Sequence, residues 1–175
     1  MKLEFRYIRS LLFLIPAVLA LTTDIALEGL SIAFAVTSLS GAFASMVYVF
    51  IHFDEKINVK IIMEGLSDAF FGIVLVTYPL PSGQFFLVIF SAWLFVMGLF
   101  MLSGGFSMKG NESFFWFYLL VGISYIAMGF VVMNYNPSML EMIPYVLGII
   151  LLTYSVINVY LLAKRKVDIY ALGNL

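Results

Sequence analysis

The sequence predicts an all-α integral membrane protein, a single domain of six transmembrane helices built from three helical hairpins. Three observations predict it: 63% of the 175 residues are hydrophobic and only 11% are charged, the apolar residues form long continuous runs, and the basic residues all fall on one side of those runs. So small a charged fraction cannot cover a water-soluble globule of this size. We therefore expect much of the protein surface to face lipid.

The apolar runs favour helices over a transmembrane barrel. Backbone groups in hydrocarbon must be satisfied within a helix or within a closed barrel. Barrel strands alternate apolar and polar residues, whereas these runs are unbroken and rich in Leu, Ile, Val and Phe. About 20 residues cross the hydrocarbon core. The predicted spans are, in order, residues 8–23, 29–52, 61–78, 85–106, 114–133 and 139–163.

The basic residues predict the orientation of the chain. They precede the first span, lie between the second and third and between the fourth and fifth, and follow the sixth: Lys2, Arg6, Arg9, Lys56, Lys60, Lys109, Lys164, Arg165 and Lys166. The loops on the other side carry only Asp24, Glu28 and Glu141. Because basic loops stay on the cytoplasmic side, we expect both termini in the cytoplasm.

The N-terminus also has features of a secretory signal peptide, a basic start followed by an apolar core over residues 11–21. Glu4 interrupts the basic region, and no clean small-x-small cleavage site follows the core. We therefore expect the first helix to remain in the mature protein.

An internal repeat runs through the chain. In the third span Gly65 and Gly72 are followed by Pro79, and in the fifth span Gly122 and Gly129 are followed by a proline after a similar interval. The two segments read EGLSDAFFGIVLVTYP and VGISYIAMGFVVMNYNP. The first hairpin fits more loosely, with Ser10, Ala17 and Asp24 at the matching positions. The pattern predicts three two-helix units at about 8–52, 61–106 and 114–163.

Three tandem short hairpins with Gly-x6-Gly and then Pro at the turn resemble the HdeD family of bacterial inner-membrane proteins, which is associated with acid resistance. The resemblance covers nearly the whole chain. It implies six helices, a location in the bacterial inner membrane and a role in the response to acid or envelope stress. It supplies no catalytic residues.

The paired glycines predict close helix packing. Seven residues make nearly two helical turns, so Gly65 and Gly72 share one face of their helix, as do Gly122 and Gly129. Small residues let a neighbouring backbone approach, which is how membrane helices gain contact without a hydrophobic driving force. Gly41 lies in a similar ladder in the second span. Packing within the chain is the first interpretation, and the seam of a homo-oligomer is the alternative.

Asp68 is the carboxylate placed furthest inside a predicted span. It lies eight residues beyond Lys60, so we expect it on the order of 10 Å into the cytoplasmic half of the third helix. Glu64 is one turn nearer the water on the same face, and Asn158 is predicted at a similar depth in the sixth span. Asn158, Arg9 or Lys60 is the expected partner of Asp68, because an intramembrane charge is costly without one.

Two roles for Asp68 stay open at this point. A structural carboxylate would hold helices in register, whereas one linked to a proton, an ion or a ligand would exchange with water. A water-accessible cavity that reaches Asp68 would favour the second role, and a bundle packed shut around it would favour the first.

The residue types argue against catalysis. The chain has no cysteine, its one histidine is His52 near a predicted interface, and no phosphate-binding loop or nucleophile motif occurs. We therefore expect no enzyme activity, no cofactor, no metal and no nucleic-acid partner, with the lipid bilayer as the principal partner. The first functional hypothesis is a non-enzymatic stress-response membrane protein, and the alternative is a small transporter or channel with Asp68 as its proton-linked carboxylate.

Overall fold

The computed structural model describes residues 4–51, 59–77, 83–106, 112–135 and 142–172. These residues form seven α-helices and no strand. The helices are α1 Glu4–Leu12, α2 Leu14–Thr22, α3 Leu27–Ile51, α4 Val59–Thr77, α5 Gly83–Phe106, α6 Glu112–Met133 and α7 Ile143–Leu172.

Four helices are long and apolar enough to cross a membrane, which confirms the prediction of a helical membrane protein. They comprise all of α3 and α5, Phe114–Met133 of α6 and Ile143–Leu161 of α7. The α4 helix is not among them, because Lys60, Glu64 and Asp68 lie within its 19 residues. A shorter apolar stretch covers Tyr7–Thr22.

Several predictions fall outside the described part of the chain. These concern residues Lys2, His52, Lys56, Pro79, Lys109, Pro137 and Glu141, and the side chains of Arg6, Lys60, Lys164, Arg165 and Lys166. The orientation of the chain in the membrane therefore stays a prediction.

The predicted first span is two consecutive helices. Residue Phe13 separates α1 from α2 and keeps a helical backbone, with φ −70° and ψ −11°. The cause is Pro16, which has no N–H to donate to the carbonyl of Leu12 and whose ring crowds that carbonyl. The two helices together cover the shorter apolar stretch Tyr7–Thr22, which corresponds to the first predicted span.

The closest packing joins helices from different predicted hairpins. The helices pair as α3 with α4, α5 with α6, and α2 with α7. In terms of the predicted spans, the second packs on the third, the fourth on the fifth, and the sixth on the first. The closest helix contacts are therefore made between repeat units and not within them. The contact between α2 and α7 brings together the first and the last predicted spans.

A cluster of aromatic side chains fills the centre of the bundle, with neighbouring ring centroids 4.9–6.1 Å apart. Such pairs add about 0.5–1.5 kcal/mol each beyond the burial of their area. Its members are Phe13, Phe34, Phe86, Phe90, Trp93 and Tyr154, all with at most 1% exposure. Large apolar side chains such as Phe43 and Phe50 point outwards instead, as expected for a surface that faces lipid.

Candidate functional site

The predicted glycines of the third span lie at the contact between α4 and α3. A Cβ added to Gly65 would meet the Cβ of Ser45 at 2.8 Å, and one added to Gly72 would meet the Cγ of Leu39 at 2.7 Å. The backbone of α3 is also near, since the carbonyl oxygen of Ala35 is 3.1 Å from the same point above Gly72. These two glycines therefore pack within the chain.

The glycines of the fifth span make the matching contact between α6 and α5. A Cβ on Gly122 would lie 3.0 Å from the carbonyl oxygen of Gly98, and a Cβ on Gly98 would lie 2.8 Å from the carbonyl oxygen of Gly122. Gly129 similarly faces the carbonyl of Ser91 at 3.2 Å. Gly98 was not among the predicted packing residues, although it is the closest point of this crossing.

The third helix pair has its own glycine. A Cβ on Gly148 of α7 would come within 2.9 Å of the Cβ of Ala20 and 3.2 Å of the carbonyl oxygen of Ala17. Each of the three close pairs thus has a glycine that lets two backbones approach, which is the expected device in a lipid solvent.

Gly41 of α3 differs from the other predicted glycines. A Cβ there would lie 3.4 Å from Asp68 Oδ2 and 3.5 Å from Arg9 Cγ, which are ordinary contact distances. Gly41 therefore lies beside two charged side chains, whereas the other predicted glycines lie beside the backbone of a neighbouring helix.

Those charged side chains form the candidate site. Arg9 of α1 donates from Nε to Asp68 Oδ2 at 2.6 Å and from Nη2 to Asp68 Oδ1 at 3.2 Å. Its Nη1 donates to Glu64 Oε2 at 3.0 Å. Asp68 has no exposed surface, and Arg9 and Glu64 are buried. The guanidinium therefore joins α1 to two carboxylates one turn apart on α4.

Arg9, one of the three partners expected for Asp68, is the partner found among the described residues. It was also counted with the basic residues that flank the first span, and it lies inside the bundle, with 7% of its surface exposed. The planar guanidinium bonds two carboxylates there, which compensates for leaving water. Arg9 is therefore both a basic residue before the first predicted span and the partner of Asp68.

The remaining neighbours of this ion pair are aromatic or apolar. Trp93 Nε1 of α5 donates to Asp68 Oδ1 at 3.2 Å. The sulfur of Met97 accepts from Arg9 Nη2 at 3.5 Å, and the Arg9 guanidinium carbon lies 6.0 Å from the ring centroid of Phe13. Three helices, α1, α4 and α5, therefore contribute hydrogen-bonding groups to one closed cluster, which we call the Arg9–Asp68 site.

Asn158 does not join this site, although it was predicted at a matching depth. Its Nδ2 donates to the carbonyl oxygen of Tyr154, one turn earlier in the same helix, at 2.8 Å. The side chain is therefore oriented along its own helix and not towards Asp68. Depth in the membrane alone does not determine which side chains meet, because rotation about the helix axis also decides it.

The repeat places three different side chains at one equivalent position. In the alignment of Gly65 with Gly122, Asp68 corresponds to Tyr125, and the looser first unit places Phe13 there. All three are buried, with exposures of 0%, 1% and 0% for Asp68, Tyr125 and Phe13. Neither Tyr125 nor Phe13 was predicted as a site residue, although aligning the three repeat units identifies both.

An open cleft of about 600 Å³ lies at the end of the bundle where α3, α5 and α7 begin. It is bordered by residues 23–28, Gly83, Pro144 and Tyr145. Tyr145 donates from its hydroxyl to Asp24 Oδ1 at 3.0 Å across it. The cleft does not reach the Arg9–Asp68 site, since Glu28 and Gly41 on α3 are separated by about 20 Å at 1.5 Å per residue.

The chemistry available to the described residues is limited. They contain no group of three or more His, Cys, Asp or Glu side chains that could hold a metal ion. In the Arg9–Asp68 site the charged groups are hydrogen-bonded to one another, and the rings of Trp93 and Phe13 lie beside them. Its arrangement is that of a cross-link between helices.

Comparison with known proteins gives one family match. The model of a family described as a short repeat of unknown function (DUF308) matches residues 63–134. The matched segment covers most of α4, all of α5 and α6, and therefore both glycine pairs of the repeat. Comparisons with curated proteins and with solved structures give no match.

Proposed function

We propose that this chain is a six-span, non-enzymatic protein of the HdeD-like type in the bacterial inner membrane, with both termini cytoplasmic, which serves in the response to acid or envelope stress. The observation that carries the proposal is the Arg9–Asp68 site. It is a buried ion pair with hydrogen-bonding partners on three helices and no exposed surface on Asp68. Such a site is suited to holding a bundle together in the bilayer.

The family match supports this assignment. DUF308 is the repeat of HdeD-like membrane proteins, and it matches the segment in which the glycine spacing is most regular. The four long apolar helices and the shorter apolar stretch are compatible with six spans when α4 is included, because Glu64 and Asp68 of α4 are bonded to Arg9 inside the bundle. The acid-stress role comes from the resemblance to that family.

The closed surroundings of Asp68 support a structural role over transport. A transported proton or ion needs a water route to its binding site, whereas Asp68 has no exposed surface among the described residues, and the rings of Phe13 and Trp93 pack on each other near it. In lipid, breaking a buried ion pair by removing one partner costs about 3–5 kcal/mol, because the other charge is left without compensation. The site therefore favours one fixed arrangement of α1, α4 and α5.

The experiment compares three variants in cells that lack their own copy of the gene. Asp68→Asn keeps the shape and part of the hydrogen bonding, Asp68→Leu removes both, and Ser67→Ala is the control. Ser67 is the neighbouring polar residue on α4, and its hydroxyl bonds its own helix at the carbonyl of Met63. Survival after acid exposure is measured together with folded protein in the membrane.

We expect Asp68→Leu to lower the amount of folded protein and acid survival together, with Ser67→Ala equal to the parent. If Asp68→Asn folds fully but fails to protect cells from acid, the proton-linked alternative takes the place of the structural role. If all three variants fold and protect as the parent does, the Arg9–Asp68 site has neither role and the proposal fails.

A further inference from the structure

The three helix pairs do not contact one another equally. The helix α1, which continues into α2 of the α2–α7 pair, lies against α3 of the α3–α4 pair. Likewise α4 lies against α5 of the α5–α6 pair, and the backbones approach closely at both contacts. The corresponding third contact would join α6 to α7. Within residues 112–135 and 142–172, however, the backbones of α6 and α7 do not approach each other closely over several residues.

Aromatic rings fill this wider gap. Tyr125 of α6 and Tyr154 of α7 have ring centroids 5.8 Å apart, and Phe117 of α6 and Tyr160 of α7 have centroids 5.9 Å apart. We call the contact made by these four side chains the α6–α7 seam. The spanning part of α6 is also the least buried of the four long apolar helices, at 33% against 44–50% for the others.

A polar group in the α6–α7 seam lacks a hydrogen-bond partner. The Tyr125 side chain is 1% exposed, and its hydroxyl makes no hydrogen bond within the described residues. A buried donor without a partner costs about 1–3 kcal/mol. Buried groups of this kind are commonly satisfied by an internal water molecule.

The α6–α7 seam also leads to the centre of the bundle. The ring of Tyr154 packs on Trp93 with centroids 4.9 Å apart, and its hydroxyl donates to the sulfur of Met97 at 3.7 Å. Met97 accepts from Arg9 as well. One layer of side chains therefore separates the α6–α7 seam from the Arg9–Asp68 site.

We propose that the α6–α7 seam is the side at which the bundle transiently opens, and that the molecule admitted there is water, held by the Tyr125 hydroxyl. Two independent observations carry this inference: the absence of close backbone packing between α6 and α7 in the described residues, and the unpaired buried hydroxyl between them. The pair α5–α6 moves as one unit, because its own contact is closed by Gly98 and Gly122. The inference does not rest on the proposed function.

The test uses the natural absence of cysteine from the chain. Tyr125→Cys places a thiol in the α6–α7 seam, and Phe34→Cys, which also replaces a fully buried aromatic ring and leaves a similar cavity, is the matched control on α3. Each full-length variant is reconstituted into vesicles of phosphatidylcholine and phosphatidylglycerol and treated with N-ethylmaleimide. We expect Tyr125→Cys to react about tenfold faster than Phe34→Cys, because local opening differs between parts of one structure. Equal rates would overturn the proposal.

Deuterium exchange on the unsubstituted chain provides a second measurement that does not depend on either variant folding. Amides in the turn of α6 around Tyr125 should exchange faster than those in the turn of α3 around Ala35. Cross-linking Phe117→Cys to Tyr160→Cys with a short bismaleimide should then slow the exchange around Tyr125. Equal protection of the two turns, or exchange that the cross-link leaves unchanged, would show that water does not enter at the α6–α7 seam.

Discussion

Replacing Gly98 with alanine should weaken the bundle at its closest backbone crossing. The new Cβ would lie 2.7 Å from Ile126 Cγ1 and 2.8 Å from the carbonyl oxygen of Gly122. The side chain of Ile126 can rotate, but the carbonyl belongs to the backbone of α6, so α5 and α6 must move apart. Overpacking of this kind costs about 1–3 kcal/mol.

Gly41→Ala is the matched control for that substitution. Both residues lie inside a helix, so both changes gain the same helix propensity, about 1 kcal/mol for alanine over glycine. At Gly41 the new Cβ meets its neighbours at 3.4 and 3.5 Å, which requires no movement. The difference between the two variants therefore isolates the steric term, about 1–3 kcal/mol, with Gly98→Ala the less stable.

The assay is thermal unfolding in a mild detergent, followed by circular dichroism. For a chain of this length 1 kcal/mol corresponds to a shift in Tm of about 2–4 °C, so Gly98→Ala should melt several degrees below Gly41→Ala. Identical melting temperatures would mean that the backbones of α5 and α6 do not approach as closely as the structure places them.

Three further predictions use the same purified chain or intact cells. Gly72→Leu and Gly129→Leu should each cost ~1–3 kcal/mol in the same thermal assay, because both glycines face a backbone carbonyl. Trp93→Phe should lower Tm by removing a hydrogen bond to a charged group, worth about 1.5–3 kcal/mol, and an unchanged Tm would exclude the bond to Asp68. For topology, single cysteines in the predicted outer loops should react with an impermeant thiol reagent on intact cells and those in the predicted inner loops should not, and the reverse result would refute the orientation. The outer positions are Ser82 and Ser138, and the inner positions are Asn58 and Asn111.

The helical membrane fold could be predicted because it depends on quantities that the sequence carries directly. Length and apolar content identify the four long helices, and their described bounds differ from the predicted spans by a few residues. The break at Phe13 follows from Pro16, which was visible in the sequence. Its missing N–H interrupts the helix one turn earlier.

Contacts between helices were harder to predict, because they depend on how each helix is rotated about its axis. Asn158 and Asp68 have matching depths, yet Asn158 bonds its own helix. Gly98 was missed although Gly105 follows it at seven-residue spacing, because no proline follows this pair as it does in the repeat. The importance of Gly98 comes from Gly122 opposite. Arg9 was one of three expected partners of Asp68, and the three-dimensional arrangement decides between them and adds Glu64 as a second partner of Arg9.

The last prediction concerns how the chain selects one arrangement among similar helices. The glycine pairs of the third and fifth spans have the same spacing, so glycine packing alone does not determine which helix pairs with which. At the equivalent position within the three repeats only Asp68 is ionic, and the others are Phe13 and Tyr125, so Arg9 can pair with one helix only. Buried polar groups are known to fix the register of helical assemblies at a cost in stability.

We therefore expect the double variant Arg9→Met, Asp68→Met, made together with Glu64→Gln so that the second carboxylate bonded to Arg9 is also neutral, to retain a Tm near that of the parent. Replacing a whole buried ionic group by uncharged side chains is often neutral or stabilising, by about 1–4 kcal/mol. Its helices should nevertheless pair less uniquely. Cysteines at Ser45 and Gly65, whose Cβ positions meet between α3 and α4, should form a single cross-linked species in the otherwise unchanged chain and a smaller yield in the double variant. The same cysteines beside Ser67→Ala are the control. If the double variant gives the parental yield, the glycine contacts specify the pairing by themselves, and the Arg9–Asp68 site has no part in choosing it.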